Sequence, residues 1–348
     1  MKYTSAVKFW LWIGVIMVFF QIVIGGITRL TGSGLSITKW EIVTGTLPPL
    51  SEKQWDEAFD LYKETPQYQK INEGMSMSEF KFIYFWEYLH RLWARLIFFV
   101  FLFPFIFFLV KKRLDKPLVR KLIGVVLLAM VVASIGWIMV ASGLTDRPWV
   151  NAYKLSIHLI LGLTLFSYLS WVAIDATGFK KLKFDSSTTP WYLFLGLLIV
   201  QIFLGGIMSG TRAALFYPTW PDMHNEMIPA IILQVENWNA ENFINYDSNL
   251  FFTALVQFLH RSLAYILLIF GAYMVYKYYF VLEDKLWKNS ITIFGSLLFL
   301  QVLVGIITVI MSWGTIPVLW GVLHQAVASL LLISVVFIFY LIYSSKSA

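Results

Sequence analysis

The chain contains no cysteine. That removes disulfides, thiolate metal sites, iron–sulfur clusters and covalent c-type haem attachment together, so any metal rests on histidine or carboxylate. Charge is also scarce, at 14% of residues, against 59% hydrophobic and 18% aromatic. With a mean hydropathy of +0.71, this is not the make-up of a water-soluble globule. A leader-like stretch is missing too. The first ten residues are too short for a signal or transit peptide, and no cleavage-like site follows the first apolar run. That run reads as retained, which suits a bacterial inner (plasma) membrane protein.

What is present is a series of apolar segments near Phe9–Ile27, Phe82–Val110, Leu122–Ser142, Ala152–Ile174, Trp191–Ser209, Leu250–Tyr276, Ser290–Met311 and Val318–Tyr343. Each reaches the ~20 residues that a bilayer requires. The fold class is an all-α polytopic membrane protein with eight transmembrane helices. Lys111–Lys121 carries six basic residues against one acid, and Asp175–Pro190 and Lys277–Lys288 three bases each against two acids. These loops are expected on the cytoplasmic side. Leu30–Phe80 has four lysines against eight acids, and Ser209–Asn249 one arginine against five acids, so both are expected outside. Both termini are then cytoplasmic. The net charge of +7 is chiefly this topology signal, and nucleic acid is not an expected partner.

The chain repeats itself. Gln21-Ile22-Val23-Ile24-Gly25-Gly26-Ile27 returns as Gln201-Ile202-Phe203-Leu204-Gly205-Gly206-Ile207, and His90-Arg91 returns as His260-Arg261. Four helices per repeat predict two four-helix bundles related by a pseudo-two-fold axis along the membrane normal, one over residues 1–176 and one over 177–348. The paired glycines point to close helix packing or to locally irregular chain. In the long first loop, Ser51-Glu52-Lys53-Gln54 fits a capping box, and Trp55, Phe59 and Tyr62 recur at helical spacing up to Pro66. This predicts an amphipathic surface helix. The tryptophan-rich Gly210–Asn249 reads as irregular.

Four of the five histidines, His90, His158, His260 and His324, fall in apolar segments, about six to ten residues inside the outward start of every second span. Two per repeat at one level is the pattern for two bis-histidine haems, one per bundle, toward the outer leaflet. Zinc or copper on the same imidazoles is the competing metal reading, and an interhelical hydrogen bond the competing use of a single membrane histidine. His224 lies in the second outer segment and reads as solvated or structural. Arg91 and Arg261, each beside a histidine, suit haem propionates or an interfacial anchor, and Arg95 one turn deeper suits Glu87 or the interface. Glu87 shares a face with His90 and Arg91, and the other repeat has Gln257 there. A membrane carboxylate in only one half points to chemistry in that half, or else to neutralisation of an arginine. A dihaem electron-transfer cytochrome would commonly stack two histidines on one helix. A haem transporter or chaperone would not need the lone Glu87.

Several motifs together resemble the haem A synthase family: Gly25-Gly26-Ile27-Thr28-Arg29-Leu30-Thr31-Gly32-Ser33-Gly34-Leu35-Ser36, Gly45-Thr46-Leu47-Pro48-Pro49, Tyr62-Lys63-Glu64-Thr65-Pro66-Gln67-Tyr68, Gly74 to Lys81, and Glu87 to Arg91. Tyr217 to Met223 matches the family's outer loop more loosely. The resemblance implies oxidation of the C8 methyl of haem O to a formyl, giving haem A for terminal oxidases. It implies His90 and His158 as ligands of haem O, Glu87 as the catalytic carboxylate, and His260 and His324 as ligands of a resident haem B. Haem O synthase, cytochrome oxidase assembly factors, an electron donor or acceptor and a homo-oligomer are the implied partners. The cysteine pair of some relatives has no counterpart here.

Overall fold

The computed structural model describes residues 3–38, 47–144 and 147–343. Eight long apolar helices cross the molecule: α1 (Ser5–Leu30), α4 (Met77–Val110), α5 (Lys116–Ala141), α6 (Ala152–Thr177), α7 (Thr189–Thr211), α10 (Phe251–Tyr279), α11 (Lys285–Ile310) and α12 (Val318–Tyr343). Five of the eight start before the apolar runs do, and four of these begin on polar caps. Thr4, Ser76, Asp115, Asn151 and Asp284 each accept a hydrogen bond from a first-turn amide. At α4 the Ser76–Glu79 capping box moves the start from the expected Phe82 to Met77. His90 therefore sits deeper in its helix than the apolar pattern gave.

Helix α1 packs on α4 and α6, and α5 on α6. In the second half α7 packs on α10, α11 on α12, and α10 on α11. The halves meet where α6 lies against α7 and α12, and α1 against α12. One hydrophobic core runs through both, from Trp10 and Leu11 of α1 through Leu169 and Trp191 to Ile338 of α12. On the side of the short basic connections, Leu182 N–H donates to the Leu341 carbonyl at 2.9 Å, and Lys121 pairs with Asp175 at 2.6 Å.

The other side carries the two long loops. The first folds into α2 (Glu52–Lys63) and α3 (Pro66–Lys70). The expected capping box is present, with Ser51 and Gln54 bonding reciprocally. Phe59 and Tyr62 are buried against Phe80 and Ile83 of the protruding start of α4, so the amphipathic helix lies on the end of the bundle. Burial pushes the Tyr62 phenol up to about 12. Its hydroxyl donates to Gln67 at 3.0 Å and accepts from Asn72 at 2.7 Å. The second loop is built from short pieces, a 3₁₀ turn at Ala213–Leu215, α8 (Ala230–Leu233), a second 3₁₀ turn and α9 (Ala240–Ile244). Gly45-Thr46 of the Gly45-Thr46-Leu47-Pro48-Pro49 motif lie outside the described residues.

Candidate functional site

Each membrane histidine fits against a glycine of the neighbouring helix. A methyl group built on Gly25 would come within 3.1 Å of His90 Nε2, one on Gly136 within 2.8 Å of His158, one on Gly205 within 3.2 Å of His260, and one on Gly305 within 2.8 Å of His324. A side chain in any of these four places displaces an imidazole. The glycine pairs do not interrupt their helices, so the irregular-chain alternative is overturned, and the two members of a pair do different things. Gly25 and Gly205 receive the histidine of their own half. Gly26 and Gly206, about 100° further round, receive Gln325 and Ser156 of the opposite half. Gln325 Nε2 donates to the Ile22 carbonyl at 2.7 Å, and Ser156 Oγ to the Phe203 carbonyl at 2.6 Å, so both seams are closed by hydrogen bonds.

Glutamines frame three of the histidines. Gln21 and Gln201 donate to the main-chain carbonyls of His90 and His260 at 3.2 and 3.0 Å, and the Gln301 amide lies 3.1 Å from Nδ1 of His324. Val132 occupies the place corresponding to Gln301 beside His158. The rings of His260 and His324 have centroids 6.3 Å apart. Two imidazoles on opposite sides of one metal, each at a metal–nitrogen distance of about 2 Å, bring their centroids to roughly 6 Å. Nδ1 of His158 and of His260 is buried with no hydrogen-bond partner, and such orphans call for a ligand, an ion or water. Among the described residues no three His, Asp or Glu side chains gather as a protein-only metal site. The residues thus fit a group that brings its own equatorial ligands, as haem does.

Above each pair, the loop is clasped. Glu87 is 3% exposed. Its Oε1 takes the Arg91 guanidinium at 2.5 Å, and its Oε2 accepts from Ser36 N–H and Ser36 Oγ, both at 2.7 Å, and from Ile37 N–H at 2.9 Å. Arg91 also reaches the Ile37 carbonyl at 3.4 Å. In the second half Gln257 Nε2 donates to the Tyr217 carbonyl at 2.8 Å, and Arg261 donates to the carbonyls of Tyr217, Thr219 and Asp222 at 2.7, 2.8 and 2.8 Å. Arg95 lies one turn below Arg91, half-buried. His224 is structural: its ring nitrogen lies 2.8 Å from the Phe216 carbonyl, and its ring sits between Tyr217 and Trp313.

A profile of the cytochrome oxidase assembly protein family COX15-CtaA matches residues 8–336. The chain belongs to this family. It is 40% identical over 340 residues to a protein of Flavobacterium psychrophilum named heme A synthase, covering 95% of this chain and 96% of that one. It is 41% identical over 324 residues to a heme A synthase of Parvibaculum lavamentivorans, covering 92% and 90%. A heme A synthase of Nitrosospira multiformis is 38% identical over 330 residues, covering 93% and 90%.

For a COX15-CtaA member, the sequence motifs now have contacts. The stretch Gly32–Ser36 is the loop that Glu87 clasps, and Gln67 of the Thr65-Pro66-Gln67 motif donates to the Gly32 carbonyl at 2.9 Å. Sequence reasoning did not find Ser36 and Ile37 as partners of Glu87, nor Gly136 and Gly305 as the seats of His158 and His324. Gln21 and Gln201 were visible as a repeat, though without a role.

Proposed function

We propose that the protein is a haem A synthase, oxidising the C8 methyl of haem O to the formyl of haem A. The observation that carries this reading is the unequal equipment of two otherwise matching histidine sites: a buried carboxylate stands one turn from His90, and an amide stands one turn from His260. In this reading residues 1–176 form the substrate bundle, with His90 and His158 on the iron of haem O. Residues 177–348 form the cofactor bundle, with His260 and His324 on a resident haem B, which supplies a one-electron store when bound. Arg91, Arg95 and Arg261 are the charge partners near the propionates. The buried Nε of Arg261, which lacks a protein partner, supports that role for it. The sites lie toward the outer leaflet of a bacterial inner membrane, with both termini cytoplasmic, as the loop charges ask.

Taking a methyl to a formyl adds one oxygen atom, from water or O2, and, counted with water, withdraws four electrons and four protons, so an oxygen source and acceptors for electrons and protons are required. Glu87 is the group placed to take a proton beside the substrate ring. Arg91, Ser36 and Ile37 fix its direction. Release of Oε2 from Ser36 would free one oxygen for the reacting carbon while Arg91 holds the other.

The deciding measurement is chromatography with mass spectrometry of the haems extracted from purified protein made in cells that contain haem O synthase. Haem B together with haem O, a hydroxylated intermediate or haem A is the expected result. Haem B alone, at two per chain, overturns the reading in favour of an electron-transfer cytochrome.

A further inference from the structure

The two bundles differ in one wall. Three sides of the first are closed by packing of α1 on α4, α1 on α6 and α5 on α6, but α4 and α5 barely meet. In the second, the corresponding pair, α10 and α11, packs together, with Leu298 against Gly271 and Val275 against Gly295. Burial follows the same division. Helix α5 buries Leu118, Leu122 and Val125 near its start and nothing thereafter, whereas α11 stays buried as far as Val304 and Val309. Helix α4 buries nothing between Glu87 and Phe101, while α10 buries Arg261 and Leu267 over the matching stretch. The short connection at Lys111–Asp115 joins α4 and α5 at one end, so the cleft between them widens toward the side of the long loops.

This cleft opens on the histidine level. Ala94 is one turn along α4 from His90 on the same face, and Ala133 one turn along α5 from Gly136, the seat of His158. Both alanines are exposed, whereas their counterparts Ala264 and Val302 are half-buried. Above the site the Glu87 clasp and the α2–α3 layer cover the end of the bundle. A flat ring with a long apolar arm can lie in this half with the arm passing between α4 and α5 into an apolar medium.

We propose that the cleft between α4 and α5 holds the isoprenoid chain of haem O and admits the substrate sideways from the lipid. The inference rests on the synthase reading and adds the feature that tells haem O from a haem without the chain. The closed α10–α11 wall gives the second bundle no such place, which suits a cofactor that stays.

The test uses the full-length protein from cells supplying haem O, with Ala94→Trp and Ala133→Trp as separate plugs and Leu127→Trp, exposed and about 120° round α5 from Ala133, as the control. Haem O plus haem A per chain is expected to fall at least tenfold in each plug variant and to stay within twofold in the control. The resident haem, read by its absorbance, is expected to be unchanged, which also reports folding. Protohaem, which lacks the chain, is expected to titrate into the first bundle of the plug variants as it does into the wild type. Wild-type amounts of haem O and haem A in both plugs overturn the proposal. Loss of protohaem together with haem O also overturns it, since the tryptophan then blocks the ring and not the chain. So does a plug that converts an oligomer to monomers while haem O is retained, because the cleft is then a seam between copies. The wild-type arm reads the synthase assignment itself: no haem O or haem A there sinks that assignment, whatever the variants do.

Discussion

Glu87–Arg91 and Gln257–Arg261 stand at matching places in the two halves and hold their loops in opposite electrical senses. The first loop turns its amides inward, toward Ser36 N–H and Ile37 N–H, and so requires an acceptor; the second turns carbonyls inward at Tyr217, Thr219 and Asp222, and so requires donors. Glutamate and glutamine are each the right answer to a different loop. A carboxylate that satisfies two main-chain amides, a hydroxyl and a guanidinium is stabilised where a lone membrane carboxylate would be costly. The difference between the halves therefore lies as much in loop polarity as in the residue, and both have to change together for one half to become the other.

The largest break in this comparison is expected from the histidines. His90→Ala should abolish haem A formation and leave the resident haem, whereas His260→Ala should remove the resident haem; extracted haems and the absorbance spectrum separate the two losses. Glu87→Gln comes next. It places an amide against the Ser36 and Ile37 amides and should lower haem A production by about a hundredfold without changing the resident haem, as chromatography would show. Gly136→Leu and Gly305→Leu should each empty one bundle only, the first of haem O and the second of resident haem, since even a methyl comes within 2.8 Å of the imidazole at both places. Ser36→Ala deletes one of three donors to Oε2 and should cost about tenfold in turnover, with protein yield unaltered. The smallest effect is expected from Gln257→Glu. It loses the donor to the Tyr217 carbonyl but keeps Arg261, at about 1 kcal/mol in a thermal melt followed through the resident haem.

Much of the architecture was legible because a bilayer imposes length and apolarity on each span. All eight helices fall where the hydropathy places them, and the largest differences in start are where Thr4, Ser76, Asp115 or Asp284 adds a polar turn. The α2 helix was legible through its capping box and the spacing of Trp55, Phe59 and Tyr62. The partners of Glu87 were not, since main-chain amides of Ser36 and Ile37 carry no signature in residue type. Gly136 and Gly305 were hidden for another reason: a single glycine in an apolar helix looks like any other small residue until the ring it admits is in view. Arg261 could be placed near the surface but not aimed, because what it holds is carbonyl oxygen.

The seam between α1 and α12, fastened by Gln325 on Ile22 and packed at Gly26, joins two spans some three hundred residues apart in the chain. Helix α1 must wait in the membrane through the synthesis of some three hundred residues before its partner exists. A chain truncated before α12 leaves Gly26 and the face of α1 that α12 covers exposed to lipid. Contact between α1 and α12 therefore closes the fold only after the residues between them have been made.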